Sequence, residues 1–206
     1  MTRINYARVI DKALKPLGFD RDADDWIRIR GDRWECVNRY SSWLGGVHVT
    51  LSMKDLETQR VYRSIFHLPD DLAWGGYLDE DLGVLVNGRQ GFWMQDTPNG
   101  AQDLVDKLLT FGLPWFETFQ TPEQVVAPWR ARTDPPTYRA FNPTWLITYM
   151  ICFYRLGDLE AAREVLRTPA PRLAPPKSLE AIARASAWLE ARIAAKAQMP
   201  GLKGPA

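Results

Sequence analysis

Three runs of alternating apolar and polar residues follow one another between residues 26 and 53, and they constrain the fold more than any other feature. The runs are WIRIR (26–30), RWECVNRY (33–40) and VHVTLSM (47–53). Successive side chains of a strand point to opposite faces, so each run predicts a half-buried β-strand. The Gly31-Asp32 pair between the first two runs is short enough for a hairpin. We therefore predict an antiparallel sheet, whose core face includes Val47, Val49, Leu51 and Met53.

Two further segments predict strands, VYRSIFHL (61–68) and LGVLVNGRQGFWM (82–94), where Asn87-Gly88 is typical of a tight hairpin turn. The sheet would then have five or six strands, with residues 20–25 (DRDADD) as an acidic loop before it. Helical spacing predicts an N-terminal helix over residues 4–15 and another over 101–111, which Gly112 would end. The fold class is therefore α+β.

The C-terminal third of the chain predicts helices. Thr121 can cap a short helix that has Pro122 at its first position. A proline-rich segment, residues 133–143, follows and predicts a linker. Helices are expected beyond it over residues 144–156, 158–167 and 178–197. We predict a sheet domain over residues 1–132 and a helical extension over 133–206 packed on it, with one single domain as the alternative.

The charge is nearly balanced overall but differs between the two parts of the chain. The net charge is +1. Residues 1–129 hold 14 basic and 19 acidic side chains, a net of −5, and residues 130–206 hold 12 and 6, a net of +6. This balance gives no drive toward nucleic acid or an anionic membrane.

The chain lacks the signs of export and of a membrane span. The start, MTRINYARVIDKALK, has no apolar central region, and the most apolar run, residues 144–154, is shorter than the roughly 20 residues of a spanning helix. We expect a cytoplasmic protein. Cys36 and Cys152 are therefore expected to be reduced core residues.

Sequence signatures of catalysis are missing. The chain has no G-x-S-x-G elbow, P-loop, dinucleotide-binding glycine pattern or H-E-x-x-H motif. His48 and Ser52 lie four residues apart in a predicted strand, about 13 Å, which is too far for a nucleophile and its base. The two histidines and two cysteines show no ligand spacing, and the acidic runs lack the EF-hand pattern. We expect no metal and no cofactor, and the residues favour a non-catalytic protein over an enzyme.

The chain contains nine tryptophans, which suggests contact surfaces as well as core. Two glycine-containing loops, Trp43-Leu44-Gly45-Gly46 and Trp74-Gly75-Gly76-Tyr77, combine an aromatic side chain with a flexible backbone. The candidate binding residues are Trp43, Trp74, Tyr77, Arg39 and His48.

The ordered motifs of residues 1–130 resemble the bacterial family called domain of unknown function 4304. They are LKPLGF (14–19), Val37-Asn38 at a strand end, Ser42-Trp43, and GLPWFE (112–117) followed by Thr-Pro-Glu. Tyr40 stands where we expect the family to carry glutamine. The resemblance implies an α+β domain and no established activity.

A second resemblance concerns residues 153–166, FYRLGDLEAAREVL, which are similar to a single tetratricopeptide helical hairpin. It implies that Gly157 makes the turn, that Ala162 is the small residue packed between helices, and that Leu166 makes a core contact. One repeat cannot build a solenoid, which needs at least three. We interpret the segment as a docked helical hairpin.

The leading hypothesis is a cytoplasmic binding or accessory protein without catalysis that contacts a protein partner through its acidic sheet domain and its Trp43 and Trp74 loops. A toxin-neutralising immunity protein is one form of it, because an acidic face suits a basic toxin. The alternative is a small-molecule-binding protein or weak enzyme with a pocket between sheet and helices, using His48, Arg39 and nearby tryptophans. A homodimer formed through the apolar helix 144–154 is a third hypothesis.

Overall fold

The computed structural model describes residues 5–41, 46–69, 78–94, 99–131, 143–167 and 176–198. The chain divides into two compact units, one formed by Met1–Glu57 with Tyr77–Gln120 and the other by Thr58–Gly76 with Thr121–Ala206. The domain boundary proposed at residue 132 stays a prediction.

The first unit contains the sheet. It begins with helix α1 (Tyr6–Leu14), a 3-10 turn (Lys15–Leu17) and the strands β1 (Asp20–Asp22), β2 (Asp25–Arg30), β3 (Arg33–Ser41) and β4 (Gly46–Asp55). Helix α2 (Leu56–Phe66) starts at its border. The unit continues with β5 (Leu78–Asp81), α3 (Leu82–Asn87), β6 (Trp93–Met94), α4 (Gly100–Lys107), a π-helical turn (Leu108–Gly112) and α5 (Leu113–Thr118).

The strands form one antiparallel sheet in the order β1-β2-β3-β4-β5, and β6 also pairs with β4. The described residues thus contribute six strands, and the predicted α+β class with five or six strands is confirmed. The acidic segment expected to be a loop forms β1 and the first residue of β2, joined by a turn at Ala23 and Asp24.

The core of this unit lies on the face of β4 that the alternation predicted. Val47, Val49, Leu51 and Met53 are all buried. Helices cover this face: the indole Nε1 of Trp26 donates to Asp11 of α1 at 3.2 Å. Gly112 lies so close to Leu51 that a Cβ on it would stand 3.3 Å from a Leu51 methyl carbon.

The second unit consists of helices in its described part. They include α6 (Pro122–Ala131), α7 (Pro143–Arg155), α8 (Leu159–Arg167) and α9 (Pro176–Ala197), and the three predicted C-terminal helices are confirmed to within two residues at their ends. The linker predicted over 133–143 lies outside the described residues, except Pro143, which begins α7.

Helix α7 is buried on all sides in the single chain. Every residue from Trp145 to Phe153 is at most 3% exposed. The homodimer through this helix stays a prediction. The turn after α7 has Gly157 at φ +77°, a left-handed conformation that glycine adopts without strain. Ala162 and Val165 of α8 are buried, whereas Leu166 is only partly buried.

The predicted cap of α6 is confirmed. The backbone N–H of Gln124 donates to Thr121 Oγ1 at 3.3 Å, and the backbone N–H of Thr121 donates to Gln124 Oε1 at 3.1 Å. These reciprocal bonds form a capping box, which satisfies two backbone donors at the start of the helix.

The strand predicted over residues 61–68 is wrong, because residues 61–66 belong to α2 and residues 67 and 68 follow its end. Its most buried residues, Thr58 and Ile65, are seven positions apart, and the partly buried Val61 and Tyr62 lie between them. Spacings of three and four place these side chains on one helical face. The β-branched and aromatic composition suggested a strand, but packing of that face determines the helix.

The hairpin predicted at Asn87-Gly88 is also wrong. Residues 82–87 form α3, and Gly88 ends the helix at φ +72°. A left-handed glycine serves a helix C-terminus as well as a type I′ turn, so the dipeptide alone does not separate the two. Gly112 does not end a helix as expected. It continues the chain into α5, and a Cβ there would lie 2.8 Å from Leu108.

Candidate functional site

The strand register separates the charges of the sheet by sign. One face, here called the acidic face, carries five strand aspartates against one strand cation, Lys54. These aspartates are Asp20, Asp22, Asp25, Asp79 and Asp81. The strand arginines all lie on the helix-covered face, together with Glu35, Asp55 and Glu80. They are Arg21, Arg28, Arg30, Arg33 and Arg39.

Two rows of paired residues cross the acidic face from β1 to β5. One row runs through Asp22, Asp25, Asn38, Thr50 and Asp81, and the other through Asp20, Ile27, Cys36, Ser52 and Asp79. Each row has aspartate at both ends. With strands about 4.8 Å apart, the terminal aspartates of a row are about 19 Å apart. The carboxylates therefore lie along both sides of this face, with uncharged residues between them.

Asn38 links the centres of the two rows. Its side-chain amide donates to Asp25 Oδ1 at 3.0 Å and contacts Cys36 Sγ at 3.2 Å, while its Oδ1 accepts from Ser52 at 2.9 Å. Burial, with a smaller contribution from the Asp25 charge, raises the pKa of the Cys36 thiol to about 12. A thiol of that pKa stays protonated at neutral pH and is no nucleophile.

His48 lies on the acidic face with Asp81 as its partner. Asp81 Oδ2 bonds to His48 Nε2, and Asp81 Oδ1 accepts from the backbone N–H of Val84, which caps α3. The carboxylate thus orients the imidazole ring and fixes the start of a helix. Among the described residues, His48 Nδ1 has no hydrogen-bond partner.

The His48 ring lies between two exposed aromatic side chains. The centroid of Tyr40 is 6.1 Å from that of His48, and the centroid of Phe92 is 5.3 Å from it on the β6 side. Tyr40 is 54% exposed and Phe92 57%, with Met94 beside it at 41%. Large aromatic side chains this open, grouped together, indicate a contact surface. We call Tyr40, His48 and Phe92 the aromatic row.

Two glycines allow this arrangement. A Cβ on Gly83 would lie 2.2 Å from the backbone nitrogen of Gly91 and 2.9 Å from Asp81 Oδ1. A Cβ on Gly46 would lie 3.3 Å from Phe92. The segment that carries Phe92 therefore packs against the backbone beside Asp81 only because side chains are absent there.

The predicted binding residues are only partly brought together. Arg39 lies on the helix-covered face, pairs with Asp24 and donates to Ser41 Oγ at 2.9 Å. His48 lies on the opposite face of the sheet, so the two do not form one site. Trp43, Trp74 and Tyr77 lie outside the described residues. The alternation of β3 places Tyr40 on the His48 face, but its exposure and the position of Phe92 have no sequence signal.

No nucleophile accompanies the His48–Asp81 pair among the described strand residues. Ser41 is on the other face of the sheet. Ser52 is on the same face as His48 but four residues further along β4, about 13 Å away. Thr50 is the neighbour on the same face, about 6.5 Å along the strand. In the described part of the chain, histidine, cysteine and acidic side chains form no group of three that could hold a metal ion.

A shallow groove of about 430 Å³ lies next to the aromatic row. Phe92, Trp93 and Met94 form one wall, and Asp103 and Lys107 of α4 form another. Trp93 Nε1 donates to Asp103 Oδ2 at 2.8 Å, which fixes the indole across the groove. The groove is large enough for a small ligand.

The helix-covered face has a buried ion cluster. Glu35 is fully buried, and Arg28 and Arg30 donate to its two carboxylate oxygens at 2.5–3.0 Å. Arg33 Nη2 lies 3.7 Å away, and Arg30 also bonds to the exposed Glu117. The strand arginines of this face other than Arg21 are thus tied to carboxylates inside the unit.

Comparisons with known proteins give no relative: no family model, curated protein or solved structure matches the chain. The resemblance to domain of unknown function 4304 stays a prediction. In the described segments, no helix has both the length and the apolar character needed to cross a membrane.

Proposed function

We propose that the protein is a non-catalytic binding or accessory protein that contacts a protein partner through the aromatic row. The observation that carries the proposal is the exposure of Tyr40 and Phe92 on either side of a histidine whose orientation Asp81 fixes. Aromatic side chains that are rigidly held and open to solvent are typical anchors of protein interfaces. His48 serves here as the base of a contact surface.

The charge pattern of the sheet supports an immunity-type version of this function. Such a protein needs its acidic residues gathered on one face, because steering of a basic toxin depends on a local negative field. Five of the eight strand carboxylates of the described residues lie on the acidic face, and the strand arginines lie on the opposite face. Acidic side chains spread evenly over both faces of the sheet would have contradicted the immunity-type function.

The test is a tagged pull-down from a lysate of the native host, followed by native mass spectrometry of the eluate. The double variant Tyr40→Ala/Phe92→Ala is compared with Leu109→Ala/Phe111→Ala, whose side chains are each 38% exposed elsewhere in the same unit. A stoichiometric protein that the first variant loses and the second retains supports the proposal. A partner retained by both variants, or a protein that elutes alone, contradicts it.

A second candidate function is small-molecule binding in the groove beside Phe92. Its support is the combination of an apolar wall with Asp103 and Lys107, groups of opposite charge, on the facing helix. Native mass spectrometry of the same eluate would then show an added mass of a few hundred daltons, as expected for a ligand that fills such a groove. Replacing Lys107 with alanine should remove that mass, and its persistence would exclude the groove.

A further inference from the structure

The aromatic row continues into unpaired carboxylates at the β1 edge. Tyr40 lies two residues beyond Asn38, which pairs with Asp25, and Asp25 pairs with Asp22. Tyr40 is therefore a diagonal neighbour of Asp25, about 7–8 Å away. Asp22 lies one strand further, about 12 Å from Tyr40 between Cα positions, a gap that the phenol ring and a guanidinium stacked on it can cover together. Asp20 and Asp22 are exposed, and neither carboxylate has a partner among the described residues.

Cations of the strands do not neutralise this surface. Lys54 is the strand cation of the acidic face, and it is buried, with its amine 4.4 Å from the centroid of the Trp34 ring. It lies six residues from His48 along β4, about 20 Å. The strand arginines point to the other face. The open end of the acidic face therefore combines negative charge with exposed aromatic faces.

Both properties favour the same ligand group. An aromatic face attracts a cation, and a guanidinium can lie flat on the ring while its N–H groups donate to a carboxylate in the same plane. A lysine ammonium is not planar, so it cannot stack on the ring and donate to the carboxylate in the same plane at once. Phosphate-bearing partners such as nucleic acid would be repelled by the aspartates.

We propose that this surface binds an arginine side chain in a basic segment of a partner protein, with the guanidinium stacked on Tyr40 and donating to the carboxylate of Asp22. The inference rests on the proposed function and gives the chemical class of the partner's contact residue. Phe92 provides a second stacking face at the other side of His48.

The experiment titrates the full-length, ¹⁵N-labelled protein with two synthetic peptides, GSRGSRGS and GSKGSKGS, and follows backbone amide shifts. The arginine peptide should shift the amides of Tyr40, His48 and Phe92, and the lysine peptide should bind at least about threefold more weakly. Tyr40→Ala and Asp22→Asn should each weaken binding of the arginine peptide by about two- to fivefold. Both side chains are exposed, so the variants should fold.

The matched controls are Phe111→Ala and Asp106→Asn, an exposed aromatic and an exposed acidic residue of the same unit. Binding that the controls weaken as much as Tyr40→Ala and Asp22→Asn do would overturn the inference, as would equal affinity for both peptides or no shift at the aromatic row. If the host partner still depends on Tyr40 and Phe92 but not on Asp22, the arginine inference fails and the proposed function stands.

Discussion

Replacing Glu35 with glutamine should destabilise the sheet unit by about 3 kcal/mol. Removing one member of a buried ion pair costs about 3–5 kcal/mol, because the remaining charge is left uncompensated. The side chain of Arg28 is 13% exposed and that of Arg33 is 10% exposed, so neither can be hydrated easily once the carboxylate is neutral. The side chain of Arg30 is 35% exposed and keeps Glu117 as a partner, so Arg30 adds little to the lost free energy of unfolding. The lower end of the range of about 3–5 kcal/mol therefore applies.

Urea unfolding at pH 7, followed by far-UV circular dichroism, measures this change. The control is Glu117→Gln, which removes an exposed partner of the same Arg30 and should cost less than about 1 kcal/mol. The reasoning is refuted if Glu35→Gln lies within about 0.5 kcal/mol of the parent protein, since no buried charge would then be left unpaired. Equal losses in the two variants would also refute it.

Three further predictions concern packing, protonation and capping. Gly83→Ala should destabilise the protein by about 1–3 kcal/mol and move the His48 ring resonances in NMR spectra, because its Cβ meets the backbone of Gly91; unchanged resonances would contradict this. Burial raises the pKa of Cys36 from 9.0 to about 12, so the folded state keeps a proton that the unfolded chain releases. The free energy of unfolding should therefore fall between pH 9 and 12, and Cys36→Ala should reduce that slope, as alkaline urea titrations can test. Thr121→Ala should cost about 1 kcal/mol in thermal or urea unfolding, and a neutral result would show that the capping box is not needed.

The two faces of the sheet differ in whether their charged side chains are paired inside the unit. On the helix-covered face, Glu35 and other carboxylates pair with four of the five strand arginines inside the unit. On the other face, Asp20 and Asp22 have no such partner among the described residues. The strand residues of the acidic face hold five aspartates and one lysine, a net of −4, and those of the helix-covered face hold five arginines and three carboxylates, a net of +2. The two faces therefore differ in sign, which the net charge of −5 for residues 1–129 does not show.

Local patterns in the sequence predicted several elements correctly. Alternation over residues 26–53 identified β2, β3 and β4, since period two is the direct consequence of strand geometry. Thr121 and Pro122 identified the start of α6, because capping depends on neighbouring backbone groups alone. Where composition had to choose between helix and strand, at residues 61–68, it failed, since the buried face of α2 is defined by packing.

The sequence by itself determined which side chains share a face of each central strand, and therefore that His48 and Tyr40 could be neighbours once the strands paired. Only the tertiary structure decided that Asp81 orients His48, that Phe92 stacks on it, and that strand aspartates and arginines separate across the sheet. These features depend on the register between strands and on the return of residues 78–94 to β4. Such pairings join residues distant in sequence, and local periodicity carries no information about them.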